Sequence, residues 1–112
     1  METVIFEIIL HAGNARAEAY EALRSARAGD FAAAAGHLRQ AEEEVGVAHR
    51  VQAEIIQGEA RGEKAEISLL LVHAQDHLMT AIAEKSLIEN MVDMQKTIHR
   101  LERQLEVIGC KD

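Results

Sequence analysis

Apolar residues recur at three- and four-residue intervals along most of this chain, and that recurrence predicts helices. Val4, Ile5, Ile8, Ile9, Ala12, Ala15, Ala19 and Leu23 share one face of a first helix. Phe31, Ala34, Leu38, Ala41, Val45, Ala48, Gln52 and Ile55 form a second stripe, suited to packing on neighbouring helices at shallow angles. Two glycine-bearing breaks punctuate the pattern. At the first, Gly29 suits a helix C-cap and Asp30 the N-cap of the next helix. At the second, between Gly58 and Gly62, Gly62 is the better cap. Helix 1 is thus expected over about 2–28, helix 2 over about 31–60 and helix 3 over about 66–107. Three helices joined by two short turns make an all-α antiparallel bundle, one domain over residues 1–112. Gly36, Gly46 and Gly58 inside helix 2 each cost roughly 1 kcal/mol against Ala, which close helix packing would explain.

The third helix carries a different pattern. Leu87, Met91, Met94, Ile98, Leu101, Leu105 and Ile108 repeat at four- and three-residue steps, a heptad seam. A helix of about 42 residues spans roughly 63 Å and outruns a bundle whose other helices are about 28–30 residues long. Its end would hold a Leu/Met/Ile stripe in water, so the seam predicts self-association. Residues 87–108 are read as a heptad extension of helix 3, with Arg100 to Arg103 alternating in sign at its flank.

Composition narrows the function. Aromatic residues make up only 3% of the 112 residues, and there is no Pro and no Trp, which suits helices and argues against an aromatic platform for nucleic acid. Twelve basic and nineteen acidic residues leave a net charge of −7, which opposes binding to a phosphate backbone. Cys110 is the single cysteine, so neither an intramolecular disulfide nor a multi-cysteine zinc site is available. The apolar stretch Val4–Leu10 is interrupted by Glu7, is too short to span a membrane and lacks the basic start of a signal peptide. The expected compartment is the cytoplasm.

Continued toward the N-terminus, the helix 3 seam changes character to Leu70, His73, His77, Thr80 and Glu84. Asp76 lies about 60° around the helix from His73, so His73, Asp76, His77 and Thr80 form one polar patch. Polar groups on a packing seam must be paired or used. Histidines four residues apart can bind a transition metal, but two ligands do not complete a site. They can also be satisfied core histidines. A third possibility is chemical: a neutral imidazole is a nucleophile at pH 7 and can carry a phosphoryl group, with a nearby carboxylate or hydroxyl orienting the ring. His49, on helix 2 beside its seam, either faces this patch or lies on the surface. His11, His37 and His99 read as surface or bundle-edge residues, and Glu42, Glu43 and Glu44 as a solvated face.

The residues themselves say more than their spacing. The run Ile67-Ser-Leu-Leu-Leu-Val-His73-Ala-Gln-Asp76-His77-Leu-Met-Thr80-Ala81 closely resembles the signature of the lactose/cellobiose-type enzyme IIA of the bacterial phosphoenolpyruvate:sugar phosphotransferase system. Ala48-His49-Arg-Val-Gln52 and Ile56-Gln57-Gly-Glu59-Ala60-Arg-Gly62 resemble that family's second helix. Ala12-Gly13-Asn14-Ala15-Arg16 and Gly29-Asp30-Phe31 resemble its first helix and turn. The likeness implies that His73 accepts a phosphoryl group from the histidine phosphocarrier protein and passes it to a cysteine of a IIB protein or domain. The membrane enters only indirectly, through the sugar-transporting IIC component. The likeness also implies a homotrimer, a nine-helix assembly with a coiled-coil-like core of third helices. Three copies of Asp76 would then meet at the threefold axis around a divalent ion, in this family usually Mg²⁺. Three carboxylates at one axis repel unless they are protonated or bridged, so the ion has a physical reason to be there. Gln75, His77, Gln52 and His49 match positions that support the site.

Two positions depart from the family pattern. Ala53 stands where many relatives have Thr, and the heptad continues from Glu89 to Asp112 where relatives tend to stop or vary. Two other classes compete with a relay. One is a non-catalytic helical scaffold or regulator, and the other a trimeric metal-binding protein using the same His/Asp patch. The sugar is not readable, because a IIA protein need not touch it; lactose-, cellobiose- and chitobiose-type disaccharides are the candidates.

Overall fold

A computed structural model describes residues 1–109; Cys110 lies outside them. The described chain is three α-helices: α1 (Glu2–Arg27), α2 (Phe31–Ala60) and α3 (Leu69–Val107). The turn signals act at the expected positions. Gly29 takes φ 84° and Gly62 φ 91°, the left-handed conformation that ends a helix at little cost only with glycine. The Asp30 side chain accepts a hydrogen bond from the Ala33 amide, and Ser68 does the same for the Leu71 amide at 3.1 Å. The second cap starts α3 at Leu69 rather than near residue 66, because the Ser68 hydroxyl satisfies an amide that upstream residues cannot.

α1 and α2 form an antiparallel pair packed through alanine. Ala12, Ala15, Ala19, Ala22 and Ala26 face Ala34, Ala41 and Ala48, all completely buried. Larger side chains fill the two ends. Ile5, Ile8, Leu71 and Leu78 pack at one end, and Ile88 and Val92 with Leu23, Phe31 and Leu38 at the other. α3 returns parallel to α1, with His77 beside Gly13, Glu84 beside Arg16 and His99 beside Gly29. It presents Leu71, Ala74, Leu78, Ala81, Lys85, Ile88 and Val92 to the bundle at alternating three- and four-residue steps.

The glycines inside α2 have a different cause from the expected one. A Cβ at Gly36 or Gly46 would meet only an arginine side chain of the same helix, at 3.8 and 3.5 Å. Gly58 abuts Glu63 of its own C-terminal turn, not another helix. Helix packing therefore accounts for none of the three.

The heptad residues Leu87, Met91, Met94, Ile98, Leu101, Leu105 and Ile108 are all exposed on the side of α3 away from the bundle. Followed backward, however, that face does not pass through Leu70, His77 and Glu84, which are half-buried on the α1 side. It passes through Leu69, Val72, Asp76, Met79 and Ala83, all exposed. A straight α-helix drifts about 20° per heptad against a 3.5-residue repeat, which moves the polar seam positions off the face within two or three heptads. Leu69, Leu87 and Leu105 are spaced at about five full turns and point the same way, as do Asp76 and Met94. The last contact of α3 with the bundle is His99, edge-on to Phe31 with ring centroids 5.4 Å apart. From Arg100 to Gly109 every residue is exposed, so the helix projects roughly 12 Å beyond the bundle. The particle is 68 Å long and about 20 Å across.

Candidate phosphoryl-accepting site

Ser68 caps α3, and the first turns that follow carry the candidate residues. His73, Asp76 and Thr80 are exposed, and His77 is half-buried beside them. The His73 and His77 rings lie nearly parallel, 6° between planes, with centroids 6.0 Å apart. This separation follows from the one-turn spacing and leaves the His73 ring open to solvent. His77 is enclosed on its other side by α1: a Cβ at Gly13 would stand 3.6 Å from His77 Nε2.

A pair of amides secures the floor of the site. Gln52, buried on α2, donates through Nε2 to Oε1 of half-buried Gln75 on α3. The bond pairs a donor on α2 with an acceptor on α3, beside the turn that bears His73, and no buried side-chain nitrogen or oxygen among the described residues is left without a partner. His49 does not join the cluster. It is exposed on α2, and among the described residues no hydrogen bond links it to His73, Gln75 or His77.

Asp76 sits within the exposed apolar stripe, between Val72 and Met79, and makes no ion pair among the described residues. No group of three or more His, Cys, Asp or Glu side chains within one described chain is placed to hold a metal. A carboxylate from each of several chains could supply oxygen ligands to a hard divalent ion, with water completing the shell.

One cluster beside the site was not legible as such. Arg16 Nε donates to both carboxylate oxygens of Glu84, at 2.8 and 2.9 Å, and the guanidinium lies 5.9 Å from the Tyr20 ring centroid. The Tyr20 hydroxyl and the Arg16 guanidinium hold the Glu84 carboxyl below its usual range, with a smaller contribution from His77. The available signal was the i, i+4 placement of Arg16 and Tyr20 on α1, but nothing local names Glu84 as their partner. The three histidines read as surface or bundle-edge residues are half-buried and have definite neighbours. His11 Nδ1 pairs with Glu44 at 2.5 Å, His37 Nδ1 with Glu18 at 2.7 Å, and His99 with Phe31. Glu42 and Glu43 lie on the solvated face expected of them, Glu42 pairing from there with Lys85, whereas Glu44 is half-buried against His11.

The family model described as the lactose/cellobiose-specific IIA subunit of the PTS matches residues 3–96, which hold every residue of this site. The chain belongs to that family. It is 48% identical over 98 residues to the lichenan-specific phosphotransferase enzyme IIA component of Bacillus subtilis, a match covering 88% of this chain and 89% of that one. It is 41% identical to the N,N'-diacetylchitobiose-specific EIIA component of Escherichia coli, over 88% and 84% of the two chains. The crystal structure of the cellobiose-specific enzyme IIA from Bacillus anthracis superposes with a TM-score of 0.86 at 48% identity, covering 88% of this chain and 91% of that one. The IIA(chitobiose) chain, solved in complex with the histidine phosphocarrier protein HPr, gives a TM-score of 0.78 at 39% identity over 88% and 95%. The chain is thus a IIA component of the lactose/cellobiose-specific family, and its last two heptads lie beyond the matched residues.

Proposed function

We propose that the chain relays a phosphoryl group through His73. The observation that carries this reading is the exposed His73 ring in the second turn of α3, set in the His-Ala-Gln-Asp-His run of a IIA family member. A ring nitrogen of neutral His73 attacks the phosphorus of phosphorylated HPr; the new N–P bond forms as the carrier's N–P bond breaks, and the carrier's imidazole leaves neutral. In the second step a IIB cysteine thiolate attacks the same phosphorus, and His73 returns to the neutral imidazole. Neither step consumes water, so the group keeps its transfer potential. Such transfer needs in-line approach and charge stabilisation more than a dedicated base. The open face of His73 permits the approach, while Gln75, fixed by Gln52, and His77, backed by Gly13, hold the surrounding turn.

The reading extends to the assembly. The chain works in the cytoplasm as a homotrimer with α3 central, and Asp76 carboxylates from three copies hold a divalent ion such as Mg²⁺. The ion's part is structural: it offsets carboxylate repulsion. The downstream sugar is a disaccharide of the cellobiose or chitobiose type, as the relatives' substrates suggest. A HPr complex among the structural neighbours supports HPr as donor.

The test is incubation with phosphoenolpyruvate, enzyme I and HPr, followed by intact-mass measurement of wild type and His73→Ala. Wild type is expected to gain one acid-labile phosphoryl group per chain, and His73→Ala none. No gain by wild type, with the general components active on a control IIA, would reduce the chain to a scaffold.

A further inference from the structure

We infer that the bundle-side face of α3, where the helix runs past the bundle between Lys96 and Val107, docks an acidic helical segment of a partner protein. The inference does not rest on the relay and goes beyond it. The buried row of α3, from Leu71 to Val92, advances by steps of three and four residues. At the same steps it continues through Lys96, His99, Arg103 and Val107, with Arg100 beside them. The row turns from apolar to basic where its own bundle ends. His99 makes the last contact, with Phe31, and every residue from Arg100 to Gly109 is exposed. The face that packs on α1 and α2 upstream thus has no helix of this chain to pack on here.

Charge selects the occupant. A groove of about 970 Å³ lies along this segment; Phe31, Lys96, His99, Arg100, Arg103 and Val107 are among its lining residues, and no carboxylate is. Three cations stand together there in a chain whose net charge is −7. Arg100 and Arg103 make no ion pair among the described residues, and Lys96 reaches Asp93 only at 4.0 Å. A helix with carboxylates at steps of three and four residues pairs with this row, while an apolar side chain beside them fills the groove between Phe31 and Val107.

Other occupants fit less well. A second copy of this chain would set the row against its own cations. The row also lies across α3 from Met94, Ile98, Leu101 and Leu105, so copies joined through that stripe leave it open. Nucleic acid and anionic membranes are broad negative surfaces, and beyond the row they meet Glu102, Glu106 and the chain's overall negative charge. A narrow acidic helix meets the cations alone. Arg100 is roughly 40 Å along α3 from His73, at about 1.5 Å per residue, so the docked segment leaves the His73 face open.

Fluorescence anisotropy of the full chain tests this with a labelled helical peptide that carries Glu at steps of four and three residues and Leu beside them. Peptides with Gln or Lys in place of each Glu are the controls. Wild type is expected to bind the Glu peptide roughly tenfold more tightly than the Gln peptide, and the difference should shrink in about 1 M salt. Arg100→Glu/Arg103→Glu is expected to reverse the preference and bind the Lys peptide instead. Both residues are exposed, so helicity by circular dichroism should be unchanged. A wild type that binds no peptide, or binds all three alike, overturns the inference, as does a variant that keeps the wild-type preference. Co-sedimentation of wild type with phosphatidylglycerol vesicles in place of peptide binding, lost in the variant, would assign the face to a lipid surface and equally overturn it. Phosphorylation of His73, measured with and without the Glu peptide, is expected to be the same; a loss on adding peptide would show that the segment sits over His73 and not on this row. A chain that binds the peptide as expected but is never phosphorylated defeats only the relay.

Discussion

Lys85 is a charged side chain in the buried row of α3, between Ala81 and Ile88, with 11% of its side chain exposed. Burial works against its ammonium, but bonds to Glu42 and Glu89 outweigh that and leave its pKa above the usual lysine value. Its partners are far more exposed than it is, so the pair is asymmetric: losing the lysine frees two carboxylates into water, whereas losing the carboxylates strands a buried cation. Lys85→Met is therefore expected to change stability by less than about 1 kcal/mol, while Lys85→Glu, burying a carboxylate beside two others, should cost about 3 kcal/mol or more. Urea midpoints of the two variants check this; a large loss in Lys85→Met would mean the ion pairs stabilise the fold more than the apolar stem does. At this scale the sequence was partly legible. His73 and Asp76 stood out because their residue types interrupt an apolar pattern, and Gln75 only because it falls in a family run. Glu42 and Glu44 did not, since adjacent carboxylates look alike until α3 and α1 supply a lysine for one and a histidine for the other.

At the scale of elements, the helix ends were the most legible feature, because capping chemistry is local. Gly29 followed by Asp30 specifies a stop and a start within two residues, and the structure uses both. Gly29 carries a second constraint that no local rule contains: a Cβ there would stand 3.3 Å from His99 Cε1. Gly29→Ala thus meets both a left-handed backbone, costing roughly 1–2 kcal/mol for a residue with a side chain, and a crowded His99 ring. The expected result is a loss of thermal stability that Gly62→Ala, equally strained but with open space around it, matches only in its backbone part. Thermal unfolding of Gly29→Ala, Gly62→Ala and Gly29→Ala/His99→Ala checks this. If removing the ring restores nothing, the close approach to His99 has no energetic weight. The heptad seam shows the opposite case. Its residues were found by period alone, but where it led depended on the difference between 3.5 and 3.6 residues per turn, which grows with distance and is invisible over a single heptad.

For the whole molecule, pH is the variable that reaches both sides of the fold, because α1 and α2 are each tied to α3 by a titrating group. On the acid side, the Tyr20 hydroxyl and Arg16 hold the Glu84 carboxyl below its usual range. A folded pKa depressed in this way contributes stability above the unfolded value, about 4.3, and loses it as pH falls through the folded value. On the alkaline side, the raised pKa of Lys85 contributes stability that is fully present below the unfolded value, about 10.4, and is lost as pH rises through the folded one. Arg16 is about half exposed, so salt screens the acid contribution, while the better-buried Lys85 is shielded from it. Thermal melts of wild type and Glu84→Gln from pH 7 to pH 3 are expected to differ at neutral pH and to converge below about pH 4, the unfolded carboxylate range. The neutral-pH gap should narrow in about 1 M salt, where screening acts within roughly 3 Å. Curves that stay parallel to pH 3 would show that the clamp between α1 and α3 works through packing and not through charge.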